Sequence, residues 1–279
     1  MDKKIKKIQP KIINFFCMMV VSIVVVTCNK DNPSEPYQPV ALPGINRLDF
    51  ICGNDSSIFI YDANMVLTSG RGNQNGNSAW KETFVMEYRN DLLTGATYEY
   101  VLAGRNDTRD VTYNRNDFNM LSKLTCSTWT KTLTFSYDDY RLTQIKITDA
   151  RTENRYTIVY LGLNVISVEL FRKSENGGET TTKTMYDDHD SNMNPFRYLV
   201  NVFHAPAFAS AYGSIRYDLV PMGLLLSANI PGTAAQYVKN GDDWVETEGA
   251  SNYHVSVENN RPVGISGGDL SIPLKIEYH

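Results

Sequence analysis

Six polar side chains stand within eight residues at Asp187, Asp188, His189, Asp190, Asn192 and Asn194, the densest such cluster of the chain. Positions 188, 190, 192 and 194 have the alternate-residue spacing with which a calcium loop presents oxygen ligands. The loop lacks the glycine at its sixth position and the glutamate at its twelfth, where Leu199 stands. The cluster therefore reads as a long turn held by side-chain hydrogen bonds of Asp and Asn. The four histidines, at 189, 204, 254 and 279, show no zinc spacing of the H-x-x-H or H-E-x-x-H kind. No metal and no cofactor is expected. No pair of carboxylates stands out for glycoside hydrolysis, although such pairs form in space rather than in sequence.

GISGGD at residues 264–269 resembles the G-x-S-G-G segment of trypsin-like serine proteases. A triad would need a histidine base and an orienting acid near Ser266. His254 is the nearest histidine, the protease's upstream histidine segment is missing, and the layout is not two six-stranded barrels. The segment reads instead as a glycine-rich hairpin turn. Trp80, Trp129 and Trp244, with 17 Tyr, could stack on sugar rings. Trp80 in SAWKE and Trp244 in NGDDWVE lie near turns, where binding residues tend to be. Tyr is also a favoured strand residue. The three tryptophans are the candidate ligand-binding residues.

The chain has 279 residues, 42% hydrophobic and 21% charged, which excludes a disordered, collagen-like or disulfide-dense protein. Its length suits one large all-β domain or two ordinary ones. The formal charge of −4 is unevenly spread: the first 27 residues carry five Lys and one Asp, leaving −8 for the remainder. Phosphate binding needs clustered Lys and Arg, so nucleic acid is not an expected partner.

Residues 1–11 are basic and residues 12–27 form an uncharged apolar run. At ~1.5 Å per residue that run reaches about 24 Å, short of the ~30 Å hydrocarbon core. A charged leader before a short apolar run is the pattern of an export signal. Cys28 follows in VVVTCNKDN, which resembles a bacterial lipobox. Val25 suits the aliphatic position of that motif, while Thr27 stands where Gly, Ala or Ser is usual. The resemblance implies a diacylglyceryl group on Cys28, which anchors the mature chain to outer-membrane lipid. Lys30 and Asp31 resemble the signal that sends Bacteroidetes lipoproteins to the cell surface. Pro33, Pro36, Pro39 and Pro43 favour an extended tether without a core. The expected organisation is a signal peptide over 1–27, lipidated Cys28 and tether over 28–45, and a β-meander domain over 46–279.

Past residue 46, alternation of period two dominates. TKTLTFSYD sets Leu133, Phe135 and Tyr137 against Thr132, Thr134 and Ser136. NRYTIVY does the same with Tyr156, Ile158 and Tyr160, and NVISVELFR with Ile166, Val168 and Leu170. SNYHVSVE aligns Tyr253, Val255 and Val257; DLSIPLKIEY aligns Leu270, Ile272, Leu274, Ile276 and Tyr278. This is the half-buried strand pattern. Turn clusters such as GNQNGN, YDD, ENGG and NGDD separate the runs. One short helix is expected around NPFRYLVNVF, opened by Pro195. Cys52 and Cys126, in an oxidising compartment after export, leave one disulfide or two buried thiols open. No C-x-x-C occurs.

A repeat organises these strands. An apolar strand end meets Tyr, then a polar turn, then usually an aliphatic residue opening the next strand. The anchors are Tyr61, Tyr88, Tyr113, Tyr137, Tyr160, Tyr186 and Tyr217, at spacings of 27, 25, 24, 23, 26 and 31. About 26 residues hold one β-hairpin. The series gives an all-β, antiparallel up-and-down meander of roughly 14–16 strands, which must curl into a barrel or half-barrel because flat sheets rarely exceed ~10 strands. LTFSYDDYRLTQI resembles the YD repeat, Y-D-x-x-G-R-L, through Tyr137, Asp138, Arg141 and Leu142. The family's Gly is missing and the turn is one residue shorter. With the lipobox, the tether and the YDD…NPF segment, the layout resembles a Bacteroidetes lipoprotein family of YD/RHS-like repeats. That resemblance implies a porin-like fold and no known catalytic residues.

The function expected is a non-catalytic binding or structural module of the cell envelope, with a glycan or protein ligand. A carrier of an apolar ligand in the concave face is the second reading, and a glycan-directed hydrolase the third. A filled interior with exposed Trp and Tyr favours the first; a hollow apolar one favours the second.

Overall fold

Alternation decides the local structure. In TLTFSYD, Leu133 is 0% exposed and Phe135 6%, while Thr134 and Ser136 face solvent. Extended backbone sends neighbouring side chains to opposite faces, so each such segment offers one face to a core. The computed structural model describes residues 46–63, 66–74, 80–90, 92–102, 105–118, 120–126, 131–138, 141–191, 194–196, 221–270 and 272–279. The chain divides into Met1–Gln38 and Pro39–His279, and all that follows concerns the second unit. Cys28, Trp129, Asn192, His204 and Tyr217 lie outside the described residues.

The strands are β1 (Arg47–Cys52), β2 (Asp55–Tyr61), β3 (Leu67–Gln74), β4 (Trp80–Arg89), β5 (Leu92–Leu102), β6 (Arg105–Arg115), β7 (Leu121–Cys126) and β8 (Thr132–Asp138). They continue as β9 (Arg141–Thr148), β10 (Glu153–Leu161), β11 (Asn164–Lys173), β12 (Glu179–Asp187), β13 (Thr233–Asn240), β14 (Asp243–Glu258), β15 (Arg261–Gly267) and β16 (Leu274–Tyr278). Each pairs antiparallel with its predecessor, and β16 returns to β1, from Leu48 opposite Tyr278 to Cys52 opposite Leu274. The meander is a closed barrel of sixteen strands. The hairpin expected around Asp138–Arg141 is present, with Thr132 opposite Thr148 and Asp138 opposite Arg141.

From β2 to β9 the buried inward positions are mainly apolar. Phe59, Phe84, Tyr98, Leu124, Leu133 and Ile145 are at most 2% exposed. Groups so enclosed have no water-sized space beside them. Outward, β6 carries Asn106, Thr108, Asp110, Thr112 and Asn114, all exposed. On other strands Val85, Val101 and Val159 are exposed among polar neighbours.

The repeat tyrosines sit at one end of the barrel, each just before a turn, on the buried face. Tyr61, Tyr113 and Tyr186 are at most 5% exposed, and Tyr88, Tyr137 and Tyr160 pack against the same core. The strand register slips at Tyr61, Tyr88, Tyr137 and Tyr160, so each of these tyrosines faces the aliphatic residue that opens the next strand: Leu67, Leu93, Leu142 and Val165. Such a β-bulge bends a strand and sharpens its twist, which curls the sheet. In the first hairpins a hydroxyl secures it. Thr68 donates to the Ile60 carbonyl, Thr94 to Glu87, Ser122 to Asn114 and Thr143 to Ser136, at 3.1–3.3 Å.

One anchor is displaced. On β6 the slip falls at Arg115, opposite Leu121, so Arg115 holds the rung that Tyr fills elsewhere and Tyr113 lies one layer deeper. Arg115 donates from Nε and Nη2 to the Leu93 carbonyl at 3.2 and 3.0 Å. Burial pulls its guanidinium below the usual value, and the phenols of Tyr137, Tyr88 and Tyr113 oppose this.

The connection from β12 to β13 turns back into the tyrosine end as a plug. Phe196 stacks on Phe50 of the wall at 4.7 Å between ring centres. Leu224 and Leu225 on a short helix, α1 (Met222–Leu226), and Ile230 are at most 1% exposed. Asn194 is a buried peg: its Nδ2 donates to the carbonyls of Leu224 and Ser227, and its Oδ1 accepts from the Phe196 amide. The helix expected around NPFRYLVNVF falls mostly outside the described residues: residues 195–196 form a short turn and residues 197–203 lie outside them. A described helix lies at GLLL, where neither a polar face nor a side-chain cap announces it. Two expectations need correction because of a bulge. Val165, not Ile166, faces inward with Val168, and Val257 lies past a slip at Ser256 and is 43% exposed. Ile272 precedes β16 and is 36% exposed.

Candidate functional site

The tyrosine end is plugged, so binding chemistry must be sought on the outer wall and at the far end. There the hairpins β11–β12 and β13–β14 project with both faces wet. The two-residue turn Gly241–Asp242 sets Asn240 opposite Asp243 and Lys239 opposite Trp244. Trp244 therefore shares the outward face with Tyr237, which stands opposite both Lys183 and Glu246. Lys183 Nζ lies over the Trp244 ring, 4.1 Å from its centre. Two strands away, Arg155 lies over Phe171 at 4.8 Å and also reaches Glu153 at 3.3 Å, which Lys146 meets at 2.9 Å. Trp244 and Phe171 each hold a cation against the π-face. Trp244 was legible in the sequence; Tyr237, Lys183, Phe171 and Arg155 were not singled out. The signal was available, since a two-residue turn at NGDD fixes which neighbours share the tryptophan's face.

The other tryptophans do not join it. Trp80 opens β4, with its backbone in register with Gln74 and Leu102 on the opposite side of the barrel's strand order; its side chain, like Trp129, is outside the described set. Cys126 is buried in the core.

The polar cluster at 187–194 serves the plug. The Asp190 amide donates to Ile230, and Asn194 is committed as described. Burial pulls the His189 imidazole below its usual value, against a hydrogen bond with the Val165 backbone and the charges of Asp187, Asp190 and Asp188. GISGGD gives the end of β15 and a turn with positive φ at Gly267 and Gly268. A Cβ at Gly268 would run into the Tyr253 ring, so only glycine brings the turn so close. Register does set Ser266 opposite His254, but on the outer wall and with no hydrogen bond between them, so the serine has no activating base. The residue of that motif with a role is Asp269. Its carboxylate accepts from the Tyr186 hydroxyl at 2.9 Å and from the Tyr253 hydroxyl. The α1 residue Gly223 packs on the Tyr186 ring and its amide donates to the Tyr186 oxygen at 3.4 Å. Burial raises the Asp269 carboxyl above its usual value, and the two phenols partly reverse this.

At the β1–β16 seam, Asp49, Glu277 and His279 bring one donor atom each within 4.8 Å of one another. Asp49 is already held by Arg47 from Nε at 2.7 Å and Nη2 at 2.5 Å, and Glu277 by Lys275 at 2.6 Å. These are closure contacts, in which both carboxylates are already paired with cations.

Fold and site together define a plugged antiparallel barrel with an aromatic and cationic patch on one projecting wall. No family model and no curated protein matches the sequence. Among solved structures the chain is similar to a porin-like protein from Bacteroides uniformis, at 13% identity over 88% of this chain and 100% of that one, with a TM-score of 0.49. It is also similar to a porin-like protein from Bacteroides vulgatus, at 12% identity over 84% and 98%, with a TM-score of 0.38.

Proposed function

We propose that the chain is a non-catalytic binding module of the cell envelope, anchored in outer-membrane lipid through acylated Cys28 and displayed on the tether of residues 29–45. Its binding face is the outward patch of Trp244, Tyr237 and Phe171, and its ligand is a glycan. The observation that carries this reading is the pairing of Trp244 with Lys183 and of Phe171 with Arg155 on a wall that projects beyond the filled core. Rings offer a face to sugar C–H groups, and the cations and Glu169 and Glu246 beside them offer hydrogen bonds to hydroxyls. The polar outward row of β6, from Asn106 to Asn114, supports a tethered rather than a membrane-crossing barrel.

A glycan array probed with the full chain tests the site. Trp244→Ala with Tyr237→Ala should lose the bound glycans by at least about tenfold while the melting temperature holds; an unchanged profile would reject the patch. The anchor is tested separately. Cys28→Ala should abolish labelling by a palmitate analogue and release the protein from the membrane fraction, and continued labelling would reject acylation at that residue.

A further inference from the structure

The inner wall of the same projecting hairpins has a different character. Along one register row it runs from Tyr156 through Leu170, Thr182 and Val238 to Val245. One step outward along the strands, Arg172 stands between Asn154 and Thr180 on the same inward face. Alternation fixes this direction: Phe171 and Lys173 flank Arg172, and Phe171 is the ring that Arg155 covers on the outer wall. Towards the tyrosine end, inward residues of the same strands are closed off, with Val165 at 0% and Tyr186 and Ala234 at 3%. At the far end they are not. Val245 is 47% exposed although it faces inward, Thr180 and Thr182 are exposed, and Leu170 and Val238 are half-buried.

Arg172 is the distinctive group. Its neighbours across both strands are neutral, and it makes no ion pair among the described residues. It acts electrostatically on the Tyr156 phenol, pulling it down against the effect of burial. An arginine with the neutral Asn154 and Thr180 opposite it, beside the water-accessible wall of Leu170, Val238 and Val245, fits a ligand with an anionic head and an apolar chain. The mouth of a β-barrel is a common place for such a site.

We propose that the concave face of β10–β14 at the far end of the barrel binds a single-chain amphiphile with a carboxylate head, the chain lying on Leu170, Val238 and Val245 and the head on Arg172. Threonines at 180 and 182 leave room there, where other strands carry large rings. This site is separate from the outward Trp244 patch, and either can fail alone.

Fluorescence titration of the full-length protein with 11-dansylaminoundecanoate, displaced by laurate, reads the site. Laurate should displace the probe at least about tenfold better than dodecanol or dodecyltrimethylammonium, since only the carboxylate can form a charge-assisted pair. Arg172→Gln should weaken laurate by about tenfold and leave dodecanol unchanged, while Lys239→Gln on the outer wall should change neither. Val245→Asp should abolish binding of both. Any uptake by the apolar segment at 12–27 is common to all these proteins and cancels in the comparison. Equal laurate affinity in wild type and Arg172→Gln would overturn the proposal. So would equal affinity for laurate and dodecanol, or binding only to phosphatidylglycerol vesicles with no response to monomeric laurate, which would point to a membrane surface instead.

Discussion

Two stretches of one wall, built by the same hairpin rule, end in opposite states. From β2 to β9 the inward positions hold Phe59, Phe84, Tyr98, Leu124, Leu133 and Ile145, all at most 2% exposed. From β10 to β14 the same alternation continues, but the inward residues of β12 are Thr180, Thr182 and Thr184 before Tyr186. Threonine keeps the strand, because it is β-branched and pairs well, yet it fills far less volume than phenylalanine. Strand formation and core filling are therefore separate properties. The first stretch has both; the second has both towards the tyrosine end, where Val165, Tyr186 and Ala234 are buried, and strand without core at the far end, where it keeps two accessible faces.

The sharpest way to break this comparison is to empty one side of it. Phe84 packs near Phe59 and Tyr98, with ring centres 6.0 and 5.7 Å away. Phe84→Ala should cost about 3–5 kcal/mol in urea unfolding, whereas Val245→Ala on the projecting wall should stay within about 0.5 kcal/mol. Similar losses would mean that the two stretches share one core. Next, Tyr137→Ala should cost about 3 kcal/mol, while Thr134→Ala on the outer face of the same strand should stay within about 0.5 kcal/mol. The midpoint shift on denaturation checks both, and a large loss at Thr134 would reverse the assignment of faces.

A third test addresses Asp269, where plug and wall meet. Its carboxyl is raised in the folded state chiefly by burial. The associated stability is thus fully present below the ordinary Asp value and is lost as pH rises through the folded one. Asp269→Asn removes that dependence, so its stability relative to wild type should improve as pH rises above the ordinary Asp value and level off once the folded carboxyl has ionised. A flat difference would show that the carboxylate carries no burial penalty. The smallest effect expected is at the bulge: Thr143→Val, which removes the hydroxyl from the Ser136 carbonyl, should cost about 1 kcal/mol.

Much of this architecture was legible because it repeats. Tyr, turn and aliphatic residue recur often enough to fix hairpins, strand number and the buried face. What escaped was the register inside each hairpin. A bulge adds one residue to one strand, which exchanged Val165 for Ile166 and put Arg115 on the rung assigned to Tyr113. The plug escaped because it is irregular chain whose enclosure depends on distant walls; Asn194 reads as a turn residue until Leu224 and Ser227 surround it. Trp244 was legible as an aromatic beside a turn. Arg172 was not, because an alternating arginine on a strand normally means the solvent face.

The seam joins the two ends of the domain. Asn46 and Arg47 donate their amides to the His279 carbonyl, and the His279 amide donates back to Arg47. First and last rungs are thus ordinary neighbours, and the ring has no privileged starting point. Joining 279 to 46 with a short linker and reopening the chain at Gly162, where an added Cβ would meet nothing within 4 Å, would give a circular permutant with every strand pair intact. Each hairpin is then interchangeable as a point of entry, so a sequence of this kind could be rotated along its gene and still close.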